Sequence, residues 1–313
     1  MTDPTEADML AVSVQGLTKR YGTRAAVEGL TIDVPAGVVA GFVGPNGAGK
    51  TTTMAMLLGL VAPTEGAGTV LGRPLGAPAA YLHDVGALIE GPAFYPALTG
   101  NQNLAVLAAV AGHDPAQIPA LVELVGLEGR GNDRFRGYSL GMKQRLGIAA
   151  ALLGDPKLLI LDEPTNGLDP AGVAEMRGLI AGLADGGRTV LVSSHNLAEV
   201  EHVCDWLIVI DHGALVFQGP AAELLDRSPT TIVAAPEHPQ DLDELQRLLA
   251  TAGHDSEAIG GELVIAVNGT GPRKLAADVN RAAGAGDIVL AELRATRTTL
   301  EDRYLTLVNG GDR

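Results

Sequence analysis

The segment that most constrains this chain is Gly44-Pro45-Asn46-Gly47-Ala48-Gly49-Lys50-Thr51, which fits G-x-x-x-x-G-K-[ST] at every fixed position. The apolar, partly β-branched run 38–43 precedes it, and residues 51–60 follow with the composition of a helix. Strand, glycine-rich loop and helix in that order give the spacing its physical meaning. Glycines let the loop curl until backbone N–H groups converge on phosphate oxygens. The next helix aims the positive end of its dipole at the same point. Lys50 supplies a cation for β- and γ-phosphates, and Thr51 offers a hydroxyl to Mg²⁺. A loop of this kind hangs from a buried parallel strand, which commits the surrounding chain to an α/β sheet.

The flanking sequence agrees. Residues 158–161 (Leu-Leu-Ile-Leu) form a short apolar run bounded by Pro156 and Asp162, and residues 188–193 and 206–210 are two more. Residues 99–127 and 139–153 carry helical periodicity. Residues 10–34 alternate apolar and polar positions around Tyr21-Gly22 and read as antiparallel strands. Near Arg227-Ser228-Pro229 the character changes. Strands at 230–235, 262–267 and 287–293 and helices at 239–251, 272–284 and 298–308 then describe a smaller α/β appendage. The chain therefore divides into residues 10–227 and 228–313.

Two carboxylates follow the run 158–161. Asp162, at the end of a buried parallel strand, lies at the ligand edge of the sheet, placed to hold Mg²⁺ directly or through water. Glu163 is placed to polarise a water that attacks the γ-phosphate. Adjacent acids beside a dry strand are costly unless a cation or hydrogen bonds satisfy them.

Composition removes several alternatives. Apolar residues make up 46%, enough for a sizeable core, and aromatics only 3%, which disfavours an aromatic-rich β-sandwich. The formal net charge of −15 repels nucleic-acid phosphates. Cys204 is the single cysteine, so no internal disulfide forms; its partly apolar neighbourhood predicts a small buried hydrophobe. Residues 1–9 are polar and acidic, unlike a signal peptide, and no apolar run is long enough to span a bilayer. The expected location is cytoplasmic, with any membrane-spanning helices supplied by another chain.

Taken in series, GPNGAGKTT (44–52), YSLGMKQRL (138–146), LLILDEP (158–164), NGLDP (166–170) and SSH (193–195) resemble an ABC-type (ATP-binding cassette) ATPase over roughly residues 10–225. The resemblance implies the P-loop NTPase cassette fold, a mixed and mainly parallel core sheet with an antiparallel β subdomain and a helical subdomain at about 90–155. It implies ATP and Mg²⁺ as ligands, with the loop from Gly44 to Thr52 around the phosphates and Tyr21 stacked on adenine. Ser139 and Gly141 look like the signature residues that cap the γ-phosphate held by an opposite subunit. Asp169 resembles the aspartate that communicates between the two sites, and His195 resembles the switch histidine on the γ-phosphate. A signature of this type cannot reach its own loop, so the chain is expected to pair head to tail, with itself or a related cassette. Hydrolysis would drive a polytopic membrane permease, with this subunit peripheral on the inner face of the cell membrane.

Two departures from the family pattern stand out. Leu140 replaces the first glycine of the signature, leaving Ser139 and Gly141. Glu90 takes the place of the usual metal-contacting glutamine; it only accepts hydrogen bonds and adds negative charge beside the metal. The surrounding ALIEGPAFYPALT (87–99) is similar to exporters of the bacitracin and lantibiotic-immunity group, which favours export of an antibiotic, peptide or other amphipathic compound. Leu300-Glu301-Asp302-Arg303-Tyr304-Leu305 resembles the ending of drug-exporter cassettes. A non-transport ABC ATPase acting on ribosomes or DNA is the alternative. The absence of a long coiled-coil insertion, the single cassette and the acidic charge weigh against it. A regulatory cassette that binds ATP without hydrolysis is disfavoured by Lys50, Asp162, Glu163 and His195 occurring together.

Overall fold

A computed structural model describes residues 10–297, except His202, 227–229 and 268–270. The expected helix at 298–308 and the Leu300–Leu305 ending lie outside the described residues. The chain forms two compact units, Met1–Ala221 and Ala222–Arg313.

The first unit opens with β1 (Leu10–Tyr21) and β2 (Arg24–Pro35), joined by a tight turn that includes Gly22, then β3 (Val39–Val43) and α1 (Lys50–Leu57). Next come β4 (Glu65–Val70), β5 (Arg73–Pro74) and β6 (Val85–Leu88). Helices α2 (Gly100–Ala111), α3 (Ile118–Leu124) and α4 (Leu140–Ala151) follow. The unit continues with β7 (Leu158–Leu161), α5 (Pro170–Ala184), β8 (Thr189–Ser194), α6 (Leu197–Val200), β9 (Trp206–Asp211) and β10 (Ala214–Pro220).

A six-stranded sheet runs in the order β10-β9-β3-β8-β7-β6, parallel except for the edge pair β10–β9. Every residue of β3, β7 and β8 is buried, as unalternating apolar strands covered on both faces require. The second sheet, β2-β1-β4-β5, is antiparallel. One core joins the two sheets through Val12, Val14, Ile32, Phe42, Met54 and Ile208, among others.

The periodic stretch 99–127 is two helices rather than one. Thr99 and Gln102 form a capping box that starts α2, and Gly112, left-handed at φ 74°, ends it before Asp114-Pro115. At the sheet edge, a Cβ on Gly86 of β6 would stand 1.8 Å from the Ala151 carbonyl. Only glycine lets the end of α4 approach β6 this closely, and that contact fixes α4 against the core.

Cys204 is buried as expected, its sulfur beside Gly41. Burial, reinforced by Asp205, pushes its thiol up to about 12. At pH 8 the thiolate fraction is then about 10⁻⁴. Intact protein mixed with iodoacetamide is expected to stay unmodified by mass spectrometry, with one adduct appearing after denaturation.

The second unit begins within α7 (Ala221–Asp226) and continues as β11 (Thr230–Pro236), α8 (Leu242–Thr251), β12 (Ser256–Ile259), β13 (Glu262–Ala266), α9 (Pro272–Ala285) and β14 (Leu290–Arg297). Its antiparallel sheet has the order β12-β13-β11-β14, the β-α-β-β-α-β arrangement of a split βαβ unit. Leu245 and Leu249 of α8 and Leu275 and Val279 of α9 repeat every four residues. They close over Ile232, Leu263 and Ile265 into a core of this unit's own.

Candidate functional site

The phosphate loop links β3 to α1 at the end of the parallel strands. Gly49 is the N-cap of α1 at φ 102°, and no side chain caps the helix start. A Cβ there would lie 2.5 Å from the Ala26 carbonyl, so both backbone and space demand glycine. The first-turn N–H groups consequently point out of an uncapped helix end, the arrangement that receives an anion.

Lys50 is 6% exposed. Its Nζ donates to the carbonyls of Gly44 (2.7 Å) and Pro45 (3.2 Å) and lies 3.3 Å from Oε1 of Glu163. The other carboxylate oxygen of Glu163 stands 2.8 Å from Nδ1 of His195. Glu163 thus connects the loop cation to the imidazole that follows β8. Its φ of 49° places it in the left-handed region, sterically disfavoured for a residue with a Cβ.

Asp162 is buried, and Oδ2 accepts a hydrogen bond from Thr51 Oγ1 at 2.7 Å. A hydroxyl and a carboxylate oxygen held side by side at the edge of a phosphate loop suit Mg²⁺. That ion takes hard oxygen donors and usually binds one or two protein groups alongside substrate phosphates. Glu90 follows β6, whose Leu88 carbonyl accepts from Asp162 N–H at 2.8 Å, so it lies on the same sheet edge. Its side chain is exposed, its φ is 59°, and among the described residues it makes no hydrogen bond or ion pair.

A cleft of about 500 Å³ gathers Tyr21, Asn46, Gly47, Gly49, Lys50, Thr51, Thr52, Glu163 and His195. Tyr21 is 54% exposed at its rim, with Lys19 Nζ 5.2 Å from the ring centre. Gly44, Pro45 and Ala48 do not line it: the first two hold Lys50 through their carbonyls and Ala48 is buried in the core. Ser139, Gly141 and Asp169 belong elsewhere, to a groove of about 990 Å³ between α3, α4 and α5. Ser139 caps α4, accepting from Met142 N–H at 3.3 Å, and Asp169 caps α5, accepting from Gly172 N–H at 2.9 Å. Ser139, Gly141 and Asp169 thus line a separate groove from Tyr21, Lys50, Glu163 and His195, and Asp162 and Glu90 line neither.

Arg24 and Asn166 also line the cleft around Lys50, outside the set of residues the motifs mark. Arg24 pairs with Tyr21 across the hairpin and Asn166 lies three residues past Glu163, so proximity to assigned residues was the available signal. Ser193, which the sequence marks only as part of SSH, bonds both Asp162 and Glu163.

Uncapped helix end, buried lysine and paired acids define a P-loop nucleotide-hydrolysing site on a mixed α/β sheet. A family model described as "ABC transporter" matches residues 27–166. The bacitracin transport ATP-binding protein BcrA of Bacillus licheniformis is 44% identical over 220 residues, spanning 69% of this chain and 72% of the relative. The lantibiotic transport ATP-binding protein SrtF of Streptococcus pyogenes is 41% identical over 207 residues, spanning 66% and 90%. The ABC transporter ATP-binding protein YdbJ of Bacillus subtilis is 35% identical over 305 residues and 93% of each chain, so that likeness includes the second unit. A solved ATP-binding subunit of an ABC transporter has a TM-score of 0.61 at 30% identity, covering 69% of this chain and 92% of that one. This chain belongs to the ABC transporter ATP-binding proteins, which bind and hydrolyse ATP. Among its described residues no helix is long and apolar enough to cross a membrane.

Proposed function

We propose that this chain powers export of an antibiotic peptide or other amphipathic compound, as an ATP-sandwiched dimer on the inner face of the membrane beneath a polytopic permease. The observation carrying the hydrolytic reading is the bridge formed by Glu163 between Lys50 and His195. Support for export comes from the bacitracin and lantibiotic relatives.

The residue roles follow from chemistry. Lys50 and the first-turn N–H groups of α1 bind the phosphates, and Tyr21 at the rim takes the adenine face. Glu163 accepts the proton of the attacking water. His195, hydrogen-bonded to that carboxylate, donates to the γ-phosphate. Thr51 and Asp162 would hold Mg²⁺, with Glu90 as a further acceptor on the same sheet edge. The bound ion would neutralise charge developing on the phosphate oxygens. Ser139, Gly141 and Asp169, gathered on a separate groove, would meet the nucleotide of a second cassette. That separation is the reason to propose head-to-tail pairing.

The test uses a slow variant. Tagged Glu163→Gln chain is expressed in its host and the membranes are solubilised in mild detergent with ATP. A stoichiometric membrane protein with several apolar helices is the expected companion. Recovery of ribosomal or DNA-bound partners without a membrane protein would overturn the transport reading and leave the ATPase assignment standing.

A further inference from the structure

Ser193 is the penultimate residue of β8 and is fully buried. In the parallel ladder Leu161 of β7 is level with Val192 of β8, so one step further Ser193 comes level with Asp162. Its hydroxyl donates to Asp162 Oδ1 at 2.5 Å and accepts from the backbone N–H of Glu163 at 2.9 Å. Asp162 is consequently held from both sides, by Thr51 on Oδ2 and by Ser193 on Oδ1. The same hydroxyl anchors the backbone of Glu163 in its left-handed conformation.

We propose that Ser193 is a positioning residue. It fixes the direction in which the Asp162 carboxylate faces the metal, and it holds Glu163 in the conformation that brings its side chain to Lys50 and His195. The inference rests on the proposed assignment of Asp162 as metal-side ligand and Glu163 as base. The physical reason is economy of donors. Hydrogen bonds to a ligating carboxylate orient it toward its metal, and Ser193 supplies one of the two that Asp162 accepts. A disfavoured backbone conformation likewise persists only where its surroundings over-determine it. One hydroxyl, with one proton to give and a lone pair to accept, meets both needs.

The test is Ser193→Ala in the full chain. It removes one oxygen from a buried site and adds no bulk. Binding of a fluorescent ATP analogue is titrated with Mg²⁺ and repeated in EDTA, alongside steady-state hydrolysis. The Mg²⁺ concentration for half-maximal effect is expected to rise about 10- to 100-fold. Binding in EDTA should stay unchanged and kcat should fall. A merely structural role would weaken binding equally with and without Mg²⁺, and that result overturns the inference. An unchanged Mg²⁺ requirement overturns it as well. Asp162→Asn, run in parallel, separates the two levels. If it too leaves the Mg²⁺ requirement unchanged, the metal-side assignment fails and the inference falls with it. If only Asp162→Asn shifts the requirement, the assignment stands and Ser193 has no positioning role.

Discussion

Glu163→Gln is expected to slow ATP hydrolysis by about 10²- to 10⁴-fold, the range contributed by a positioned general base. ATP affinity should stay within about threefold of the parent protein, since the phosphate-binding donors are untouched. Gln is close to Glu in shape, so it keeps an acceptor oxygen 3.3 Å from Lys50 and a polar group near His195. What it loses is the negative charge and the capacity to take a proton. The side chain is 18% exposed, so solvent screens it little. Binding that persists while chemistry stops should accumulate the ATP-bound dimer, visible as a doubling of mass by light scattering with ATP. Hydrolysis within a few-fold of the parent rate would remove Glu163 from the role of base.

Lys50→Ala is expected to act on the other kinetic constant. Removing the buried ammonium should weaken ATP binding by about 10- to 150-fold, as expected for losing hydrogen bonds from a charged donor. The same group satisfies the carbonyls of Gly44 and Pro45 and faces Glu163. Its loss therefore also leaves a carboxylate without its cation in a half-buried cleft. Isothermal titration with ATP checks the affinity, and a thermal melt without nucleotide separates lost binding from lost folding. Parent-like affinity would exclude Lys50 from the phosphate contact. The two variants together form a cross-check, since one should impair chemistry with binding intact and the other binding itself.

The loop at 44–51 and the strand 158–161 with its trailing acids were legible because each is a short local pattern with a fixed chemical reason; His195 stood out only through the resemblance of SSH (193–195) to the family series. The helix α5 carries a local signal as well: Asp169 caps it, Pro170 starts it, and Met176, Ile180 and Leu183 share one face. The hairpin of β12 and β13 carried a signal too, in Gly260 and Gly261, both at positive φ. Its first strand, Ser-Glu-Ala-Ile, is short, does not alternate apolar with polar and is mostly exposed, so periodicity was silent there.

By itself the sequence determined the class of chemistry. Spacing along one chain brings Lys50 and Thr51 to a helix start and Asp162 to a strand end wherever the rest of the fold goes. Only the tertiary structure decided which of these groups touch. The meeting of Glu163 with Lys50 and His195, the separation of Ser139 and Asp169 onto another groove, and the hold of Ser193 on Asp162 all depend on strand order and register. Those are long-range pairings, in which a shift of one residue would turn Ser193 to the opposite face of the sheet. No local sequence pattern encodes that choice, because the burial of both sheet faces together selects it.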